Sequence, residues 1–474
     1  MSSACAIKLI PFFFFFLFFL CSFICSGNCP EYGQDEDCLF LTVMAPTDPP
    51  PTDDGYPVLF WIHGGAFEQG LGDCALYNGT QFALNGIVSV VINYRLGALG
   101  FMASQSMQGN YGFMDQRLAM QWTQNNIRAF GGNPKKVTIA GQSAGSQSVS
   151  CHLTSPNSQG LFHQAIQESN PLALPYHDRK SAAKNAKDIA EYVGCSADDI
   201  ECLRSKSVEE ILDAQENAIK LDLKNLFINF VPFAPLVEEG GEIPEQPLYA
   251  LQAGKINSMP LLSGSLSDEG QLFVYELFTK PVSRTQYKVI VEGLFGREAG
   301  KKVLEMYPYD TVPGSTDGRE TMNIFATDLM FYCPLRNVST SMQQYNGNAY
   351  NPTYIYRFKH ILSFDCWGEN YTFCVGSCCH GSDLPFVFNV FDDGVGDEYD
   401  PTTDEENLTR YMGNAWTNFI VGGDPNYGRA VPVKYPLYDY TEDAIIILDQ
   451  PDMYIDSHVR DEFCDLWDSL GYIW

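Results

Sequence analysis

"VTIAGQSAGS", residues 137–146, carries a short β-branched apolar segment into a G-x-S-x-G pentapeptide. The pentapeptide alone says little. With 40 Gly in 474 residues, chance produces it in roughly one such chain in four or five. Its setting is more informative. "KVTIA" predicts a buried strand and "AGSQSVSCHL" a helix, which puts Ser143 on a tight strand-to-helix turn between Gly141 and Gly145. Small neighbours suit a turn where backbone is crowded. The turn would lift the Ser143 hydroxyl off the carboxyl end of a sheet, where α/β proteins bind ligands. Unpaired N–H groups of the helix start would face it there.

Working outward, the same alternation continues. "YPVLFWIHGG" follows the Pro-rich turn "PTDPPPTDDG" and reads as a buried strand ending in glycines. A short helix around Gln81–Leu84 precedes "IVSVVIN", a second buried strand. "GFMDQRLAMQWTQNNIRAF" predicts a helix with Met114, Leu118 and Trp122 on one face, closed by "GGNP". "HQAIQES", "SMPLLSGS" and "TYIYRF" read as further core strands, and residues about 176–256 as a helix-rich insertion. Strands that are apolar throughout, alternating with helices, predict an α/β fold with a mostly parallel central sheet. A chain that is 45% hydrophobic and 18% charged has the material for one large folded domain.

A serine hydroxyl is a poor nucleophile without a base, and the base needs a third group to orient it. After this kind of turn the chain order is Ser, acid, His. Three histidines lie well downstream: His360, His380 and His458. His380 is attractive because "CCHGSDLPF" follows a core strand and reads as a loop. "LLSGSLSDEG" offers Asp268 and Glu269 just past a strand end.

The bulk properties narrow the class. A net charge of −29 disfavours a phosphate backbone, so no nucleic-acid partner is expected. One Lys followed by an apolar run from Leu9 to Cys25, then "CSG", reads as a secretory signal over residues 1–27, with a signal anchor as the rival. Residues 28–474 are then the mature domain, expected in the secretory pathway or outside the cell with no stable membrane span. Removing Cys5, Cys21 and Cys25 from the 15 cysteines leaves 12, an even number that suits an oxidising compartment. "CCHG" has no second paired cluster at zinc-like spacing, so neither metal nor cofactor is expected. N-x-S/T sequons at Asn78, Asn337, Asn370 and Asn407 agree with secretion and are candidate glycosylation sites.

Several segments together resemble the type-B carboxylesterases, the α/β-hydrolase family that includes the cholinesterases and cholinesterase-like adhesion proteins. They are "EDCLFLTV", "WIHGGAF", "VINYRLGALGF", "GNYGFMDQRLAMQW", "FGGNPKKVTIAGQSAG", "GSLSDEG", "CCHGSDLPFVF" and "FCDLWDSL", spanning about residues 35–468 in the family's order. The resemblance implies an ester hydrolase acting on a small-molecule ester. Ser143 would be the nucleophile, Glu269 the acid and His380 the base. Oxyanion donors would fall on the N–H groups of Gly65, Ala66 and Ala144. It implies disulfides Cys195–Cys202 and Cys333–Cys464, and a shortened form of a third, Cys29–Cys38. It also implies ion pairs Glu36–Arg95 and Asp328–Arg460. It gives no partners for Cys74, Cys151, Cys366, Cys374, Cys378 and Cys379.

Two departures stand out. The family carries several tens of residues before "EDC", including N-terminal strands, and this chain runs from its signal-like region almost directly into "CPEYGQDEDC". Missing edge strands would expose backbone and apolar surface. Second, cholinesterases place a Trp in the first disulfide loop to stack on quaternary ammonium. The loop here has none, with Tyr32 the available substitute, so choline esters are not the expected substrate. "FINFVPFAPLV" keeps aromatics for an acyl pocket. The alternative to an esterase is a non-catalytic adhesion or structural protein on the same fold.

Overall fold

Ten strands form one twisted sheet in the computed structural model, which describes residues 5–6, 35–219, 225–256, 258–346, 351–365, 367–392 and 401–473. They are β1 (Cys5–Ala6), β2 (Leu41–Ala45), β3 (Tyr56–Ile62), β4 (Val88–Ile92), β5 (Gly132–Gln142), β6 (Gln164–Glu168), β7 (Leu261–Leu266), β8 (Thr353–Phe358), β9 (Ala444–Leu448) and β10 (Tyr454–Ser457). The spatial order is β1-β2-β4-β3-β5-β6-β7-β8-β9-β10. From β4 to β9 every neighbouring pair is parallel, and antiparallel strands close both edges.

The apolar strand runs follow from this layering. Val58, Phe60 and Ile62 of β3 enter one core cluster, while Leu59 and Trp61 enter the cluster on the opposite face. A strand covered on both sides must be apolar at every position. The insertion is confirmed as helical, with Arg179–Tyr192, Ile200–Arg204, Val208–Ala218, Leu226–Asn229 and Pro247–Gln252. Its residues Ala186, Ile189 and Ile211 join the first core cluster, so it packs onto the same body. None of the described helices is long and apolar enough to cross a membrane.

Some expectations need correction. Helix α1 (Tyr111–Asn126) forms where the sequence places it, but Met114, Leu118 and Trp122 are not its buried face; Leu118 is exposed. The helix turns Phe113, Gln116, Met120 and Thr123 inward instead. Gln116 can be buried because its amide donates to Ser148 Oγ (3.0 Å) and its Oε1 meets His152 Nε2 (3.1 Å). Arg95 is not held by Glu36. Asp115 takes it through Nε (2.7 Å) and Nη2 (2.8 Å), and also accepts the Arg95 N–H (3.1 Å). A carboxylate on the adjacent buried helix can satisfy three donors at once, which makes it the stronger partner.

The disulfides Cys195–Cys202 and Cys333–Cys464 form. Cys38 is a free thiol rather than a partner of Cys29. Burial and the nearby Asp115 charge raise its pKa. Cys374–Cys379 is an additional bridge, Cys74 is also disulfide-bonded, and Cys151 and Cys378 are buried free thiols. Cys29, Tyr32, Cys366 and most of the signal-like segment lie outside the described residues. Leu39 and Phe40, which precede β2, are exposed, and β1 lies within residues 1–27, the segment the sequence reads as a signal.

Candidate active site

Parallel registry brings the site together. Gln142 ends β5 opposite Glu168, the last residue of β6, and Glu168 pairs in turn with Gly264 of β7. The chain reverses sharply at Ser143, which caps helix α2 (Ala144–Thr154) with φ 56° and ψ −124°. A positive φ at a non-glycine residue is strained, and such strain is held only where the surroundings fix it. Here the Ser143 N–H donates to Glu168 O (3.1 Å), and Ser143 O accepts from Gln147 N (2.8 Å).

Gly145 is required by contact. A Cβ there would lie 2.0 Å from Ile62 O and 2.9 Å from His63 O. We therefore expect Gly145→Ala to destabilise the fold by about 3 kcal/mol or more. Urea unfolding of the variant beside the wild-type chain checks this.

The β3–α loop lies against the same turn. Gly65 (φ 108°), Ala66 (φ 55°) and Phe67 (φ 59°) run consecutively with positive φ. Gly65 O accepts from the N–H groups of Glu68 and Gln69, both at 3.0 Å. Among the described residues the N–H groups of Gly65 and Ala66 have no partner, and Ala144 N–H opens α2 with none inside the helix. A Cβ on Gly64 would meet Gln142 O at 2.8 Å, so the two loops are in close contact. His63, beside them, is buried, bonds Gly64 O through Nδ1 (2.7 Å) and is pushed down to about 4 by desolvation. It is neutral and serves the loop.

Glu269 opens helix α3 (Glu269–Leu277) past the end of β7 and is fully buried. Its Oε1 accepts the Leu266 N–H (2.8 Å), and its Oε2 accepts from His380 Nδ1 (2.5 Å). The loops bearing the two residues are stitched by a parallel bridge, Asp268 to Cys379, and by Asp268 N–H to Cys378 O (3.2 Å). The Cys374–Cys379 disulfide closes the chain just before His380.

This geometry separates the three candidate histidines. His380 is 3% exposed and bound to a buried carboxylate. His360 is tied to Glu405 (3.2 Å), a capping residue of helix α4 (Thr403–Gly422). His458 is largely exposed and lies against Asp461. Asp443, His458 and Asp461 are grouped closely enough to suggest a cation site, but Arg336 reaches both carboxylates and supplies the positive charge.

Sequence reasoning missed Gln142. Its Nε2 lies 3.0 Å from His380 Nε2, the nitrogen that would face a nucleophile. With Nδ1–H donated to Glu269, Nε2 carries the lone pair and accepts from the Gln142 amide. Phe273 and Phe331 flank the imidazole at 5.0 and 5.3 Å between ring centroids, and Phe230 packs on Phe273 at 5.5 Å. Phe230 belongs to the "FINF" segment expected to line an acyl pocket.

The sequons fall at different depths. Asn370 is exposed. Asn78 accepts from Thr80, and Asn407 from Arg410. Asn337 lies within helix Cys333–Asn346 with its amide donated to Asp468 (2.7 Å). The expected pair Asp328–Arg460 is present, with Tyr307 Oη donating to Asp328 as well (2.9 Å).

A mostly parallel sheet with a strained serine at the end of β5, and a buried His–carboxylate pair beyond β7, has the layout of an α/β-hydrolase. The model of the carboxylesterase family matches residues 22–467, and the chain belongs to that family. Its relatives include the cAMP-regulated D2 protein of Dictyostelium discoideum, 38% identical over 94% of this chain and 81% of that protein. They also include the Crystal protein of the same organism (37%, 94% and 79%) and the cholinesterase of Mus musculus (32%, 92% and 73%). Among solved structures, a PNB esterase superposes with a TM-score of 0.76 at 29% identity, covering 92% of this chain and 87% of its own.

Proposed function

We propose that the chain is a secreted serine carboxylesterase that hydrolyses short or medium acyl esters through an acyl-enzyme on Ser143. The observation that carries this is the buried His380–Glu269 hydrogen bond of 2.5 Å, reached by the side chain of Gln142, the residue before a serine held at positive φ. In this reading His380 Nε2 takes the Ser143 proton as Oγ attacks the ester carbonyl. The N–H groups of Gly65, Ala66 and Ala144 receive the oxyanion, each donor contributing roughly 3 kcal/mol at the transition state. His380 then protonates the leaving alcohol, and water repeats the cycle. Glu269 fixes the tautomer and stabilises the imidazolium. Phe230, Phe273 and Phe331 favour an apolar acyl group beside His380.

The Gln142 amide occupies the lone pair that Ser143 would use. In the esterase reading this is a resting arrangement that substrate displaces, since catalytic hydrogen bonds often form only in the substrate complex. In the rival reading, a binding or structural protein, it is permanent. The names of the two Dictyostelium relatives state no hydrolase activity, which keeps that rival in view. The test is nitrophenol release from nitrophenyl acetate and butyrate by the purified chain. The esterase reading expects turnover with an initial burst. Folded chain that releases no nitrophenol would favour the rival.

A further inference from the structure

Two more carboxyl groups lie fully buried around the Ser143–His380 region. Glu168 ends β6, and its own carbonyl holds the Ser143 N–H. Its Oε1 accepts from Trp416 Nε1 on α4 (2.7 Å), while Oε2 is buried with no hydrogen-bond donor. Asp383 lies three residues after His380. Its Oδ2 accepts from Tyr356 Oη of β8 (3.1 Å), and Oδ1 is likewise buried without a donor. Both residues are 0% exposed.

The surroundings hold little positive charge. Asp383 feels Glu269 on α3, His380 and the Cys378 thiol on its own loop, and the Tyr356 hydroxyl. Glu168 meets Asp383 and the Trp416 indole, with neutral Gln142 in the adjacent strand. No Lys or Arg forms an ion pair with either among the described residues. Three ionised carboxylates would therefore confront, at most, one imidazolium. A protonated carboxyl removes one of these charges, and a neutral oxygen costs less than a charged one where no donor reaches it.

We infer that Glu168 and Asp383 are a proton-holding pair that leaves Glu269 as the single negative charge His380 meets. Its bearing on catalysis rests on the esterase reading, though its measurement does not. The electrostatics agree with the geometry. Burial, with the Glu269 charge next in effect, pushes Asp383 up to about 7. Burial, aided by the Asp383 charge, raises Glu168 well above the ordinary carboxylate range.

Between the ordinary carboxylate pKa and about 7, native protein keeps a proton that the unfolded chain has released, so these groups cost stability progressively as pH rises through that window. Above it the native group ionises too and the cost levels off.

Glu168→Gln and Asp383→Asn keep the oxygens that accept from Trp416 and Tyr356 and remove the ionisation. Two measurements independent of esterase activity decide the matter. The infrared C=O band of a protonated carboxyl should be present in the wild-type chain at pH 6, bleach as pH rises, and weaken in each variant. Melting temperatures of wild type and variants should match near pH 4 and separate by pH 8, with the variants higher. An absent carboxyl band, or melting curves that stay parallel at every pH, would overturn the inference. A chain that meets both expectations yet releases no nitrophenol would refute the esterase reading alone.

Discussion

Ser143→Ala is expected to lower kcat/KM for nitrophenyl esters by about five to six orders of magnitude, with the fold intact. The size follows from losing a nucleophile that acts as a unit with its base, where removing one member costs as much as removing all. The fold is expected to persist for a local reason. Ser143 Oγ makes no hydrogen bond among the described residues, and the contacts that fix the turn are backbone ones, to Glu168 and Gln147. Alanine tolerates φ 56° about as poorly as serine does, so the strain is unchanged. Steady-state kinetics together with a circular-dichroism melt check both halves. A variant that keeps wild-type activity would remove Ser143 from the chemistry.

Glu269→Gln should be nearly as severe, lowering kcat about ten-thousand-fold. Hydrogen-bond direction sets the effect. Oε1 of Glu269 accepts the Leu266 N–H, so a glutamine must turn its oxygen toward that donor. Its NH2 then faces His380 Nδ1 where a carboxylate oxygen stood. Nδ1 becomes an acceptor, the proton moves to Nε2, and the imidazole can no longer take a proton from Ser143. Glutamine matches the shape of glutamate, so the melting temperature should change little beside the loss of rate. Kinetics at neutral pH, with NMR assignment of the His380 tautomer, measure the effect. A glutamine variant with normal rate would show that Glu269 does not orient the base.

The elbow was legible because its physics is local. A strand, two glycines and a helix follow one another within residues 132–154, and the contact that forbids a side chain at Gly145 comes from the neighbouring strand β3. The parallel core was legible for the same reason, as runs such as Val58–Ile62 are buried on both faces. What depended on distant packing was not. Pattern alone left three histidines open, and the pairing of His380 with Glu269, and of His360 with Glu405, agrees with the one the resemblance implies. The inward face of α1 escaped because Gln116 and Thr123 are buried polar residues satisfied by partners, which hydropathy scores as outward. Arg95 was assigned by resemblance to Glu36, whereas the fold sets Asp115 against it. Glu168 did leave a trace: a glutamate closing an otherwise buried strand in "HQAIQES" is out of place unless its environment tolerates an acid.

Ser143 and His380 are proposed to work as nucleophile and base despite the Gln142 amide on Nε2. Incubation of the folded chain with a fluorophosphonate probe, followed by peptide mass spectrometry, tests this without knowledge of the natural ester. A covalent adduct on Ser143 is expected in the wild-type chain and not in a His380→Ala variant. Folded wild-type chain that remains unlabelled would contradict it, as would labelling that survives the loss of His380 undiminished.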